Sequence, residues 1–204
     1  MSRPVMRRFL VLLPLLMPAT ASASCPSAAD LDRGVVLVQN GTAFRRADFE
    51  RTAQGLMEVR HEHRDGRSRN SVAWYAHGLA SRSERVGDRG LRTVYRGDVS
   101  ALDRLDELGE VTLTGEVLDS SGGREQIALR VAFLGRQSYT LAECRYDSWH
   151  LRYERITPGG KAERFELDYA PALGLVLAAR EIGADGAVPV FAYTWIGTKS
   201  DVER

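Results

Sequence analysis

The sequence predicts a mainly β protein: an antiparallel meander of about 11–12 strands, folded as a half-barrel or a sandwich, with one short helix near residues 100–108. Three observations predict it. Apolar and polar residues alternate with period two along most of the chain. Turn residues recur at short, even spacing. Helical periodicity appears in one place. Short strands evenly punctuated by turns build antiparallel sandwiches and barrels.

The elements follow in order. Gly34 to Gln39 (GVVLVQ) reads as a strand, and Asn40-Gly41 is the pair that best tolerates the left-handed positions of a two-residue hairpin turn. Leu56 to Arg64 alternates, with Met57, Val59, His61 and His63 on one face. Asp65-Gly66 turns the chain, Ser71 to Ala76 returns it, and Gly78 breaks it. Leu91 to Arg96 is the next strand. Ser100 to Leu108 is the helix: Leu102, Leu105 and Leu108 recur every three residues, Ser100 is placed to cap, and Gly109 stops it.

Strands then resume. Val111, Leu113 and Val117 alternate with polar residues, and Ser120 to Gly123 is a loop. Ile127 to Leu134 and Tyr139 to Tyr146 read as two strands. Trp149, Leu151 and Tyr153 share a face of another, and Pro158-Gly159-Gly160 turns it into Arg164 to Tyr169. Pro171 has no amide proton for a sheet ladder, and Gly174 permits a tight bend. Residues 169–175 therefore read as a corner between strands. Leu173 to Ile182 and Val188 to Trp195 close the set across Asp185-Gly186.

The ends set the compartment. Arg3, Arg7 and Arg8 precede a short apolar run, Phe9 to Met17, and Ala21-Ser22-Ala23 forms a small-residue cleavage site. Residues 1–23 read as a secretory signal peptide, and residues 24–204 as a single β-rich domain. The expected location is periplasmic or secreted, with no transmembrane segment after signal cleavage. Loss of the three arginines moves the formal charge from +1 to −2, which leaves no basic footprint for nucleic acid.

Two cysteines in an exported chain read as one disulfide, Cys25 to Cys144. Closing so long a loop contributes about 5 kcal/mol in the chain-entropy account. The alternative is a lipoprotein anchored through Cys25. That processing wants an aliphatic residue where Ser22 stands, and it would leave Cys144 without a partner.

Chemical motifs are sparse. His61-Glu62-His63 puts two imidazoles on one strand face, the spacing of a chelating pair. Gly55 followed by His61-x-His63 matches the opening of the cupin metal motif, but Arg67 and Ser68 stand near the place of its glutamate. His77 and His150 have no ligand spacing. No nucleophile elbow, zincin helix, P-loop or dinucleotide fingerprint is present. Cys144 could act as a nucleophile only if free, and no carboxylate pair is singled out. Arg96-Gly97-Asp98 spells an adhesion tripeptide but reads as a strand end entering the helix. Asn40-Gly41-Thr42 is a sequon whose turn role suffices.

Cys144-Arg145-Tyr146-Asp147-Ser148-Trp149, followed by Tyr169-Ala170-Pro171-Ala172-Leu173-Gly174-Leu175-Val176, resembles an uncharacterised family of periplasmic proteobacterial proteins with a Tyr-x-Pro-x-Leu-Gly-Leu-Val segment. The architecture is similar to that of the envelope lipoprotein carriers, incomplete antiparallel barrels with an apolar cavity under several lid helices. Here one lid helix is expected. The reading is an exported, non-catalytic binding protein of the cell envelope: no catalytic constellation appears, and about a dozen strands make a larger half-barrel than side chains alone readily fill. It would hold an apolar ligand or lipid in a half-barrel cavity, or another envelope protein on a sheet edge. No catalytic residue, metal ligand or cofactor is assigned. The alternative is a metal-dependent periplasmic enzyme using His61 and His63.

Overall fold

The structure is a computed structural model that describes residues 25–157, 159 and 162–203. The expected signal segment, residues 1–23, and most of the Pro158-Gly159-Gly160 turn lie outside the described residues. The rest forms one antiparallel sheet. Its first strands are β1 (Val35–Gln39), β2 (Phe44–Thr52), β3 (Gly55–Arg64), β4 (Arg67–His77), β5 (Ala80–Val86) and β6 (Arg89–Arg96). A 3-10 helix (Val99–Arg104) runs directly into α1 (Leu105–Leu108). Then come β7 (Glu110–Asp119), β8 (Arg124–Leu141), β9 (Cys144–Ile156), β10 (Ala162–Ala170), β11 (Leu175–Gly183), β12 (Gly186–Ala192) and β13 (Trp195–Thr198). A 3-10 turn (Ala28–Asp32) precedes the sheet and α2 (Lys199–Val202) follows it.

Each strand from β1 to β12 pairs with its chain neighbours, and β13 returns to the free edge of β1. The fold is the expected meander, with thirteen strands where about 11–12 are read from the sequence. It is a single sheet and not a closed barrel. The sheet nevertheless curls. Leu37 of β1 and Phe49 of β2 share one apolar cluster with Leu175 and Leu177 of β11, although these strands stand near opposite ends of the strand order. Two residues clasp the ends together. The Tyr193 amide donates to the Leu177 carbonyl at 3.0 Å, and the Thr194 amide to the Val38 carbonyl at 2.9 Å.

The concave face carries two cores. One gathers Leu31 of the N-terminal turn with Val35, Leu37, Phe49, Tyr146, Leu173 and Tyr193. Tyr146 Oη donates to the Pro26 carbonyl there, beside the Cys25–Cys144 disulfide, whose Cα atoms are 5.5 Å apart. The disulfide is the one expected. With Cys25 Sγ bonded to Cys144, that sulfur has no valence left for a lipid thioether. The second core gathers Leu102 and Leu105 of the helical segment with Leu113, Leu129, Val131, Trp149, Leu151 and Tyr169. Of the three leucines of the expected helix, Leu102 and Leu105 are fully buried and Leu108 is exposed.

Several local readings need correction. The residues 100–108 segment is mostly 3-10, and its cap is Asp98, whose carboxylate accepts from the Ser100 amide at 3.0 Å; Ser100 is inside the turn. Gly109, at φ 76°, ends the segment as expected. Tyr139 to Tyr146 is not a strand. It is the end of β8 and the start of β9, separated by Ala142 and Glu143, with Ala142 at φ 50°. Val188 to Trp195 is split, because the chain leaves β11 at Tyr193 to cross to β1. Residues 171–174 do form the expected corner: β10 ends at Ala170, and the Gly174 amide folds back onto the Ala170 carbonyl. Gly78 packs against that corner. A Cβ added there would lie 2.0 Å from the Gly174 carbonyl oxygen, so only glycine lets the two main chains touch.

Candidate functional site

The site grows out of strand parity. Side chains alternate across a strand, so Arg45, Ala47 and Phe49 of β2 share one face. Ladder pairing sets them against Glu62, Arg60 and Glu58 of β3. Ala47 and Phe49 are buried in the concave core, so the Glu58-x-Arg60-x-Glu62 row must face inward too. Met57, Val59, His61 and His63 occupy the opposite face.

Glu58 is 2% exposed. A buried carboxylate is tolerated only when paired and hydrogen-bonded. Arg60 supplies a bidentate pair, Nε to Oε1 at 2.7 Å and Nη2 to Oε2 at 2.6 Å. Tyr75 of β4 donates its hydroxyl to Oε2. Burial opposes the charge of Arg60, but the Glu58 carboxylate outweighs it and raises the arginine above its ordinary value. Burial, and then the same carboxylate, hold the Tyr75 phenol well above its ordinary value. The triad is therefore carboxylate, guanidinium and neutral phenol.

Arg45 is also buried, at 8% exposure. Its guanidinium lies over the Phe191 ring at 4.1 Å, and Nη1 pairs with Glu62 Oε1 at 3.1 Å. Its Nε is buried without a hydrogen-bond partner.

These groups line a cavity of about 320 Å³ between the two cores. Phe49, Leu56, Leu79, Tyr153, Phe165, Leu167, Leu175, Val176 and Ala179 supply the apolar wall, and Phe191 and Tyr193 the wall beside Arg45. Burial raises Tyr153 to about 12, and burial followed by Glu58 also raises Tyr193, so both phenols stay neutral. A larger depression of about 490 Å³ lies over Arg82, Arg92 and Tyr95, but among the described residues no buried side-chain polar atom there lacks a partner.

His61 and His63, the pair of the alternative reading, share one face of β3 as their spacing requires. His61 and His63 are exposed on the face away from the cavity, and each ring turns to its cross-strand neighbour. His61 Nδ1 meets Asn70 Oδ1 at 2.9 Å, and His63 Nδ1 meets Ser68 Oγ at 3.0 Å. Among the described residues no group of three or more His, Cys, Asp or Glu side chains could hold a metal ion.

Two other polar clusters have structural partners. His77 Nδ1 accepts the Leu79 amide at 3.1 Å, which leaves the ring proton on Nε2, 3.2 Å from Asp103 Oδ1. Burial lowers the pKa of His77, against the pull of Asp103, and the contact ties the helical segment to β4. Asp168 is 4% exposed and is held by Gln137, by His150 Nδ1 at 3.3 Å and by Arg180 Nη2 at 3.5 Å. In the Arg96-Gly97-Asp98 tripeptide, Asp98 is the helix cap already described.

Arg45, Glu58, Arg60 and Tyr75 are absent from the sequence expectations. The signal that could have found them is charge at period two, Glu58, Arg60 and Glu62, on a strand whose other face carries Met57 and Val59. No protein-family model, no curated protein and no solved structure matches this chain.

Proposed function

We propose that this chain is an exported, non-catalytic binding protein of the cell envelope, and that it holds an apolar ligand in the concavity of its open sheet. The observation that carries the reading is the cavity between the two cores. Its volume of about 320 Å³ falls at the lower end of the range of small-molecule sites, and its wall is mainly aliphatic and aromatic with a few convergent polar groups. A volume at that end suits one acyl or isoprenoid chain better than a multi-chain lipid. The Glu58 carboxylate is engaged by Arg60 and Tyr75, which suits a wall group better than a reacting one.

The test is a titration of the mature protein with N-phenyl-1-naphthylamine, a neutral apolar probe that fluoresces when desolvated. Saturable binding at one site is expected. Val176→Trp, which fills the cavity from its β11 wall, should weaken it by about tenfold or more while the near-UV circular dichroism persists. Binding that is absent, or that is unchanged in a folded Val176→Trp variant, overturns the reading.

A further inference from the structure

We infer that the ligand of this cavity carries an uncharged hydrogen-bond acceptor, an ester or amide carbonyl, and that this acceptor sits on Arg45 Nε. The inference rests on the binding role proposed above and names the chemistry of the head group.

The first warrant is the unmet donor. Buried polar atoms in folded proteins almost always have partners, and a buried N–H without one costs its full desolvation. Among the described residues, Arg45 Nε is the buried side-chain polar atom with no partner. The side chain is more than nine-tenths buried, and it lines the cavity. Its other contacts fix it in place: Phe191 lies under the guanidinium plane, and Glu62 holds Nη1. Arg45 lines the cavity, so the donor stands beside it, closed to a water-sized probe, and an incoming acceptor completes it by displacing a neighbouring side chain.

The second warrant is the charge around it, which selects among acceptors. Arg45 and Arg60 are the guanidiniums at the site. Glu58 and Glu84 line the same cavity, and Glu62 is paired to Arg45. Arg60 is already committed to Glu58, with Glu84 at 3.8 Å. Three carboxylates thus face two guanidiniums. A phosphate or a free carboxylate would add negative charge to a region that already has an excess, in a site of low dielectric. A carbonyl oxygen accepts the Nε–H bond and adds no charge. The apolar wall from Phe49 to Val176 receives the chain behind it. The ligand class is a single-chain neutral amphiphile, such as an acyl ester or an acyl amide.

The experiment displaces N-phenyl-1-naphthylamine from the wild-type protein at pH 8 with three ligands of one chain length: methyl laurate, laurate and dodecane. A hydrogen bond to a charged donor is large enough to move affinity by about tenfold or more. Methyl laurate should bind about tenfold more tightly than dodecane, and more tightly than laurate. In Arg45→Met, methyl laurate should fall to the level of dodecane, while dodecane is unchanged. The wild-type series decides the matter even if Arg45→Met does not fold. Equal affinity for methyl laurate and dodecane, or a preference for laurate, overturns the assignment of the head group while leaving the binding role intact. Failure of all three to displace the probe, or of the probe to bind, overturns both.

Discussion

Glu58→Ala removes the centre of the buried triad. The carboxylate is 2% exposed, and it neutralises an Arg60 guanidinium whose side chain is 19% exposed. Breaking a buried ion pair from one side leaves an uncompensated charge, which costs about 3–5 kcal/mol. Arg60 retains some contact with water and a distant Glu84, so the loss should fall near the lower bound, about 3 kcal/mol. For a domain of this size that lowers Tm by about 6–12 °C. Glu58→Gln keeps acceptors for Tyr75 and one Arg60 donor, and should cost less, about 1.5–3 kcal/mol. The double variant Glu58→Leu with Arg60→Met replaces both charges with apolar groups of similar size; it should cost about 1–3 kcal/mol, for the Tyr75 hydroxyl left without a partner, and so lie no lower than Glu58→Ala. The assay is equilibrium urea unfolding followed by tryptophan fluorescence and circular dichroism. A loss below about 1 kcal/mol for Glu58→Ala, or a double variant less stable than both singles, refutes the claim that the pair is buried and interdependent.

Three further expectations follow from the same structure. All seven tyrosines are raised above their ordinary value, burial being the first cause in each. A phenol raised on folding contributes stability that is complete below the unfolded value, about pH 10, and is lost as pH rises toward the folded one. Phenolate absorbance should therefore stay flat through pH 10 and rise together with loss of near-UV circular dichroism; titration of several tyrosines at pH 10 in folded protein would contradict this. Reducing Cys25–Cys144, or Cys144→Ser, should cost up to about 5 kcal/mol by loop closure, read as a Tm lower by about 10–20 °C in a thermal melt; an unchanged melt would contradict the tie. Gly78→Ala forces the main chain at the 171–174 corner apart and should cost about 1–3 kcal/mol in urea unfolding, whereas a neutral effect would mean the two chains do not touch.

The meander was legible wherever apolar residues alternate and glycine or asparagine marks the turn. β7 has the alternation, β1 and β11 are continuous apolar runs preceded by glycine, and Leu102, Leu105 and Gly109 announce the helical segment. β2 and β5 are silent because their apolar content is low: FRRADFERT and ASRSERV join the sheet through ladder bonds and a few inward contacts. The turn between β8 and β9 was missed because Ala142 takes the left-handed conformation without being glycine or asparagine. The site was hidden for a different reason. Hydropathy assigns the apolar face of β3 inward, toward Met57 and Val59, but its neighbour β2 fixes the opposite parity through Ala47 and Phe49. Glu58 and Arg60 are buried by that register, and they are stable there because each satisfies the other. Only long-range pairing reveals this, and hydropathy along one strand does not contain it. The same register turned His61 and His63 outward, to Asn70 and Ser68.

The central claim is that the concavity between the two cores is a ligand site. The most direct measurement is a heteronuclear NMR titration of the isotopically labelled mature protein with methyl laurate. Saturable, one-to-one shifts are expected, concentrated at Phe49, Glu58, Leu167, Val176, Ala179 and Tyr193, with the Arg45 Nε–H resonance moving as it gains an acceptor. Shifts that do not saturate, or that gather over Arg82, Arg92 and Tyr95 and leave the cavity residues still, would contradict it.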